Sequence, residues 1–208
     1  MFKTKINVIM PVFLGNYQNS ASNKEYKFSR AVESFLNQTY QNKELIIISD
    51  GCKISEQIYF DKFSNIDTIK FIKIEKQPLF SGNVRNTGLK TLTGQCGIVT
   101  YLDADDTIKP HHLFTIVENF NDNIDWLYYD DVINTVPNEI MRHVELKPAK
   151  IGTSNLAHEI NDKFNWVGCN GYGHDWTFIN TKLMKSNKYK KIKNTGYVVH
   201  HIPRFIDN

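Results

Sequence analysis

Ile98–Val99–Thr100–Tyr101–Leu102–Asp103–Ala104–Asp105–Asp106 decides how the rest of the chain reads. Its apolar, partly β-branched first half has the pattern of a buried strand. The run ends in three carboxylates within four positions and then reaches Thr107–Ile108–Lys109–Pro110, where a strand cannot easily continue. Crowded carboxylates repel one another, and a divalent cation is the simplest relief. In open α/β sheets the carboxyl ends of strands are where ligands bind. Alone, the triplet would equally suit an Asp-rich surface turn ahead of a helix starting near Pro110.

Working outward, the flanking segments alternate. Toward the N-terminus, Phe80–Leu89 opens a helix ending near Thr93–Gly94, preceded by a strand over Ile69–Ile74 and a helix over Ile54–Phe63. Leu45–Ile48 reads as a buried strand ending in Ser49–Asp50–Gly51–Cys52. Ser29 is placed to cap a helix carrying Ala31, Val32, Phe35 and Leu36, and Gly15–Lys24 is a loop after a first strand, Ile6–Val12. Strand and helix in this rhythm predict α/β architecture with a mostly parallel, doubly wound sheet. Beyond Pro110 the rhythm changes. A helix over His112–Phe120 leads to a strand over Trp126–Val132, then to a strand or irregular connection over Glu139–Pro148. Ile151–Lys163 reads as a short helix with a loop, Thr177–Met184 as a helix, and Gly196–Pro203 as a closing strand.

The length, 208 residues, suits one domain over 1–208, and the rhythm divides it into halves 1–106 and 107–208. A charge of +3 and the absence of a long Lys/Arg block argue against nucleic acid as a partner. The densest basic run, Lys182–Lys193, is interrupted by apolar residues and reads as a solvated helix or turn. Cys52, Cys96 and Cys169 are odd in number and contain no CxxC pair, which suits a reducing, cytoplasmic setting. The apolar run Ile6–Leu14 is broken by Asn7 and Pro11, and no segment approaches the roughly 20 apolar residues of a spanning helix. The expectation is a soluble protein, with any membrane association peripheral and supplied by a partner or oligomer. No GxGxxG or GxxxxGK[ST] loop occurs. His158–Glu159 begins a zinc-protease pattern, but position 162 is Asp162 rather than histidine. Gly15–Asn16–Tyr17–Gln18 lacks the phosphate-binding lysine expected of a nucleotidyltransferase.

Five stretches then line up with one family. They are Val8–Ile9–Met10–Pro11–Val12–Phe13, Ala31-x-x-Ser34-x-x-x-Gln38–Thr39–Tyr40-x-Asn42-x-Glu44–Leu45–Ile46, Ser49–Asp50–Gly51, Gly82-x-x-Arg85–Asn86-x-Gly88–Leu89, and Asp103–Ala104–Asp105–Asp106 with Pro110 and Leu113. In this order they resemble the inverting, family-2-type nucleotide-sugar glycosyltransferases of the glycosyltransferase-A fold, and the resemblance covers nearly the whole chain. It implies a Rossmann-like domain with helices flanking the central sheet and a small acceptor-side sheet. Residues 1–106 would bind the nucleotide sugar and 107–208 would carry the acceptor and catalytic side.

The resemblance also implies roles. Asp105 would contact Mn²⁺ or Mg²⁺ directly on the diphosphate, and Asp103 would meet the ribose or reach the metal through water, with Asp106 a cap or supporting carboxylate. Pro11, Phe13 and Ala104 would border the nucleotide. Asp50 would accept the imide N–H of uracil, which favours a UDP-sugar, although Asp before Gly51 also suits a plain turn. Arg85 would approach the base or diphosphate, or brace the acidic cluster. Asp175, in Gly171–Tyr172–Gly173–His174–Asp175–Trp176, would take the acceptor hydroxyl's proton, unless it only caps the helix at Thr177. His174 stands where relatives carry glutamate. His201 or His200 would add a metal ligand, and neighbouring residues of a strand point to opposite sides, so one of the two faces the site. Trp126, Tyr128, Trp166, Tyr172 and Trp176 are candidates to stack on sugar rings, each also a core candidate. The implied activity is a metal-dependent, inverting, hexosyltransferase-type glycosyltransferase in glycan or cell-surface polysaccharide synthesis, acting on a glycan, lipid-linked or polymer acceptor. A catalytically degenerate sugar- or nucleotide-binding module of the same fold is the alternative.

Overall fold

The computed structural model describes residues 4–193, 195–203 and 205–208. The first half forms β1 (Ile6–Val12), α1 (Lys24–Leu36), β2 (Lys43–Asp50), α2 (Lys53–Lys62), β3 (Ile69–Ile74), α3 (Gly82–Lys90) and β4 (Ile98–Tyr101). The remainder adds β5 (Thr107–Ile108), α4 (His112–Glu118), β6 (Trp126–Tyr129), β7 (Asp131–Asn134), β8 (Glu139–Arg142) and β9 (Leu156–Glu159). It closes with α5 (His174–Thr181), β10 (Tyr189–Ile192), β11 (Tyr197–Val199), β12 (His201–Ile202) and β13 (Ile206–Asp207).

A seven-stranded sheet runs in the order β10-β6-β9-β4-β1-β2-β3. β1 pairs in parallel with β2 and β4, and β2 with β3, so their carboxyl ends share one edge. β1, β2 and β4 are buried almost throughout, as near-continuous apolar strands between helix layers must be. β5, β11, β7 and β8 form a smaller four-stranded sheet. The α/β class and the mostly parallel sheet are as the rhythm predicts, and the small second sheet is as the resemblance implies. Among the described residues no helix is long and apolar enough to cross a membrane.

Several segments differ from expectation. The helix expected over Thr177–Met184 runs His174–Thr181, and the closing strand divides into β11 in the small sheet and β12 paired with β13. α1 begins at Lys24 rather than after Ser29, because Lys27 and Phe28 continue the buried stripe of Ala31, Val32 and Phe35 one turn earlier. The 151–163 segment holds one short turn and then β9, which inserts antiparallel between β4 and β6. Leu-Ala-His-Glu has little intrinsic strand preference, so its two neighbours impose the conformation. The run over Trp126–Val132 is divided, β6 joining the large sheet and β7 the small one. The basic run carries edge strand β10, whose Tyr189 ring stacks on Trp126 with centroids 4.7 Å apart.

Candidate active site

A cavity of about 390 Å³ opens at the shared carboxyl edge of β1, β2 and β4. Pro11 reaches it from β1 and Phe13 from just beyond that strand, Asp50 from β2, Arg85 from α3, and Asp103, Ala104 and Asp105 from the turn after β4. His174 and Asp175 from α5, with His201 from β12, close the opposite side. Every residue expected from the sequence to bind nucleotide or metal or to act as base lines this cavity except His200, and none of the five aromatic candidates does. That ring lies on the small sheet, with Nε2 2.8 Å from Thr107 Oγ1 and Nδ1 3.0 Å from Asn134 Nδ2.

The acidic turn has a buried strut. The Asp103 N–H donates to Tyr197 Oη at 3.1 Å, and that hydroxyl donates to Asp106 Oδ2 at 3.0 Å. The His200 N–H donates to Asp106 Oδ1 at 2.8 Å. Asp106 is therefore the brace of the turn rather than a helix cap. Burial first, then the charges of Asp105 and Asp103, push its carboxyl well above the usual range. Burial and the Asp103 charge likewise raise the Asp105 carboxyl to about 6.

Asp103 and Asp105 fit a divalent cation, since their mutual repulsion is what such an ion relieves. His201 does not offer a free nitrogen: Nδ1 lies 3.2 Å from Asp207 Oδ1 and Nε2 3.0 Å from the Asn19 carbonyl. In this arrangement both ring nitrogens face protein acceptors rather than a cation. Among the described residues no group of three or more His, Cys, Asp or Glu is placed to hold a metal ion.

A second chain of contacts links the two walls. Arg85 Nη2 donates to Asp103 Oδ1 at 3.1 Å, and Nη1 lies 3.1 Å from His174 Nε2. The same His174 nitrogen is 3.0 Å from Asp175 Oδ1, which also accepts from Thr153 Oγ1. Burial works to raise the Asp175 carboxyl, but His174, Arg85 and Thr153 together outweigh it and hold it down at about 2. α5 starts at His174, with Gly173 before it at φ 98°, so Asp175 sits inside the first turn and does not cap Thr177. A carboxylate there gains from the helix dipole.

Asp50 is already partnered, Oδ2 by Lys76 Nζ at 2.6 Å and Oδ1 by the Gln77 N–H at 2.6 Å. Each oxygen keeps a second lone pair for a ligand. Lys76 also lies 4.2 Å from the centre of the Phe13 ring. Lys76, Thr153, Tyr17 and Phe80 were not singled out from the sequence. Only Lys76 carries a signal, standing just past the carboxyl end of β3. Of the aromatic candidates, Trp126 and Trp166 are fully buried core, while Tyr172 is 90% exposed.

The profile of glycosyl transferase family 2 matches residues 20–172. The chain belongs to that family. Among relatives of this family-2 chain, glycosyltransferase GlyA of Streptococcus pneumoniae is 30% identical over 112 residues, 54% of this chain and 14% of GlyA. The glucosyl-dolichyl phosphate glucuronosyltransferase of Haloferax volcanii is 29% identical over 167 residues, 79% of this chain and 48% of that protein. The chain thus spans less than half the length of either relative. Residues 1–349 of S. aureus TarS, in complex with UDP-GlcNAc, superpose with a TM-score of 0.67 at 15% identity, over 94% of this chain and 58% of that fragment. The mannosyltransferase PcManGT of Pyrobaculum calidifontis, in complex with GDP-Man and Mn²⁺, gives 0.63 at 12%, over 98% and 59%. At these identities the structural likeness is one of fold, the glycosyltransferase-A fold.

Proposed function

We propose that the chain is a metal-dependent, inverting glycosyltransferase that moves a sugar from a nucleoside diphosphate, UDP favoured, to a hydroxyl of a glycan, lipid-linked or polymer acceptor. The observation that carries the reading is the convergence of Asp50, Arg85, Asp103 and Asp105 with Asp175 on one cavity. Residues 1–106 supply the donor side and the later half supplies Asp175. Asp50 accepts the imide N–H of the base, and the Lys76 ammonium beside it donates to a ring carbonyl. Arg85 stays between the acidic turn and His174 and offers its fork to the donor's phosphates. Asp105 with Asp103 would hold a divalent cation, which would neutralise charge developing on the leaving diphosphate. Its ionised carboxylate lets Asp175 take the proton of the acceptor hydroxyl as that oxygen bonds to the anomeric carbon and the carbon–phosphate-oxygen bond breaks. Attack from the face opposite the departing diphosphate inverts the centre.

Calorimetric titration with UDP, GDP and dTDP, each with and without Mn²⁺, tests the donor half of this reading. Metal-dependent binding of one nucleotide is expected, and binding of none by the folded protein favours a degenerate binding module instead. Asp175→Asn is expected to bind nucleotide while losing transfer, and equal turnover would remove Asp175 from the base role.

A further inference from the structure

Phe80 lines the cavity and holds a left-handed backbone, with φ of 58°. Side chains with a Cβ avoid that region because the Cβ crowds the neighbouring carbonyl. Three links hold the residue there. The Gly171 N–H donates to the Phe80 carbonyl at 3.1 Å, the Gly82 N–H donates to the Cys169 carbonyl at 2.9 Å, and Ser81 bridges Asn170. The strained turn leaves the Phe80 side chain 42% exposed, so its burial repays little of the strain.

What the turn achieves is placement. The Phe80 ring meets Tyr172 at 86° with centroids 5.6 Å apart, and lies 6.0 Å from the His174 ring. Tyr172 is held out into solvent beside the start of α5, three residues from Asp175. Phe80 in the cavity wall and the exposed Tyr172 beside it therefore form a right-angled aromatic corner, near the carboxylate that would receive a proton. Strain kept at such a position points to a ligand.

We propose that Phe80 and Tyr172 form the acceptor subsite and grip a pyranose ring of a glycan. A pyranose carries a flat C–H face that packs on one aromatic ring, an edge that meets the other, and lateral hydroxyls that stay free to reach Asp175. An acyl or polyprenyl chain has no flat face for a right-angled corner to recognise, and His174 and Asp175 at its border are polar. This assignment rests on Asp175 being the acceptor-side base.

Saturation-transfer NMR tests it with methyl β-glucoside, methyl β-galactoside and methyl β-N-acetylglucosaminide, in the presence of UDP and Mn²⁺. Transfer to the ring C–H protons of at least one glycoside is expected, weakened about tenfold in Tyr172→Ala, as fits loss of an aromatic contact. Phe80→Gly removes the second ring and also the strain, so it is expected to lose glycoside contact while its Tm holds or rises. A lowered Tm in Phe80→Gly marks a structural ring and overturns the assignment. So does glycoside contact that is absent, or unchanged in Tyr172→Ala. Co-sedimentation with phosphatidylglycerol vesicles that Tyr172→Ala abolishes would overturn it in favour of a lipid surface. Nucleotide titration of the unaltered protein keeps two failures apart. Nucleotide bound without glycoside contact defeats this subsite alone, whereas no nucleotide bound defeats the transferase reading itself.

Discussion

Asp105→Asn removes one negative charge from the acidic turn and leaves its shape. In the folded chain the Asp105 carboxyl keeps its proton up to about 6, against an ordinary value of 3.8. Between those values the folded state binds more protons than the unfolded one, so stability falls as pH rises through the window, and the whole penalty stands above pH 6. At about 1.4 kcal/mol for each tenfold change in proton affinity, the penalty is roughly 3 kcal/mol. Asp105 is partly exposed, and screening reduces the expected gain of the asparagine variant to about 1–3 kcal/mol at neutral pH. For a chain of 208 residues that is a rise in Tm of roughly 2–10 °C. Thermal unfolding in EDTA across a pH series reads the effect: the gain shrinks below about pH 6 and is gone by about pH 3. With EDTA left out, Mn²⁺ with UDP is expected to raise the Tm of the unaltered protein and not that of the variant. A variant less stable at neutral pH, or one whose gain is the same at every pH, refutes the argument.

Asp175 carries the opposite sign. Its carboxyl lies at about 2, below 3.8, so it contributes stability above 3.8 that is lost as pH falls toward 2. Asp175→Asn is expected to lose about 1–2 kcal/mol at neutral pH in urea unfolding, the figure reduced for partial exposure. Arg142→Met strips the bidentate partner from Asp131, which is fully buried and otherwise bonded to Asn155 Nδ2 at 2.8 Å. A cost of about 2–4 kcal/mol is expected from the urea midpoint, because a buried charge is left under-satisfied. At Gly82 a Cβ would fall within 3.0 Å of the Trp166 and Cys169 carbonyl oxygens, where backbone has to move. Gly82→Ala is expected to cost more than about 1 kcal/mol and to speed hydrogen exchange across residues 168–173.

Much of the first half and of the cavity edge was legible in sequence. The predicted limits of Ile6–Val12 and Ile69–Ile74 coincide with the observed strands, and the β4 turn lies where the carboxylates crowd. A strand buried on both faces has to be apolar along its length, and a polar cluster at its end marks where the ligand edge begins, so both signals are local. The start of α5 and the strand character of β9 were not legible, since neither Leu-Ala-His-Glu nor Gly-His-Asp-Trp has the periodicity that marks an element.

By itself, then, the sequence determined the α/β rhythm, the edge at which the cavity opens and the carboxylates that populate it. These follow from hydrophobic patterning and from the residue types the chemistry needs. Which residues partner one another emerged from the folded arrangement alone. It gave Asp50 to Lys76, Asp175 to Thr153 and His174, and turned His200 away to Thr107. It also engaged both nitrogens of His201 and forced Phe80 into a left-handed turn. Those pairings join residues far apart in the chain, and hydrogen-bond geometry and local charge are set by distances that no local pattern encodes.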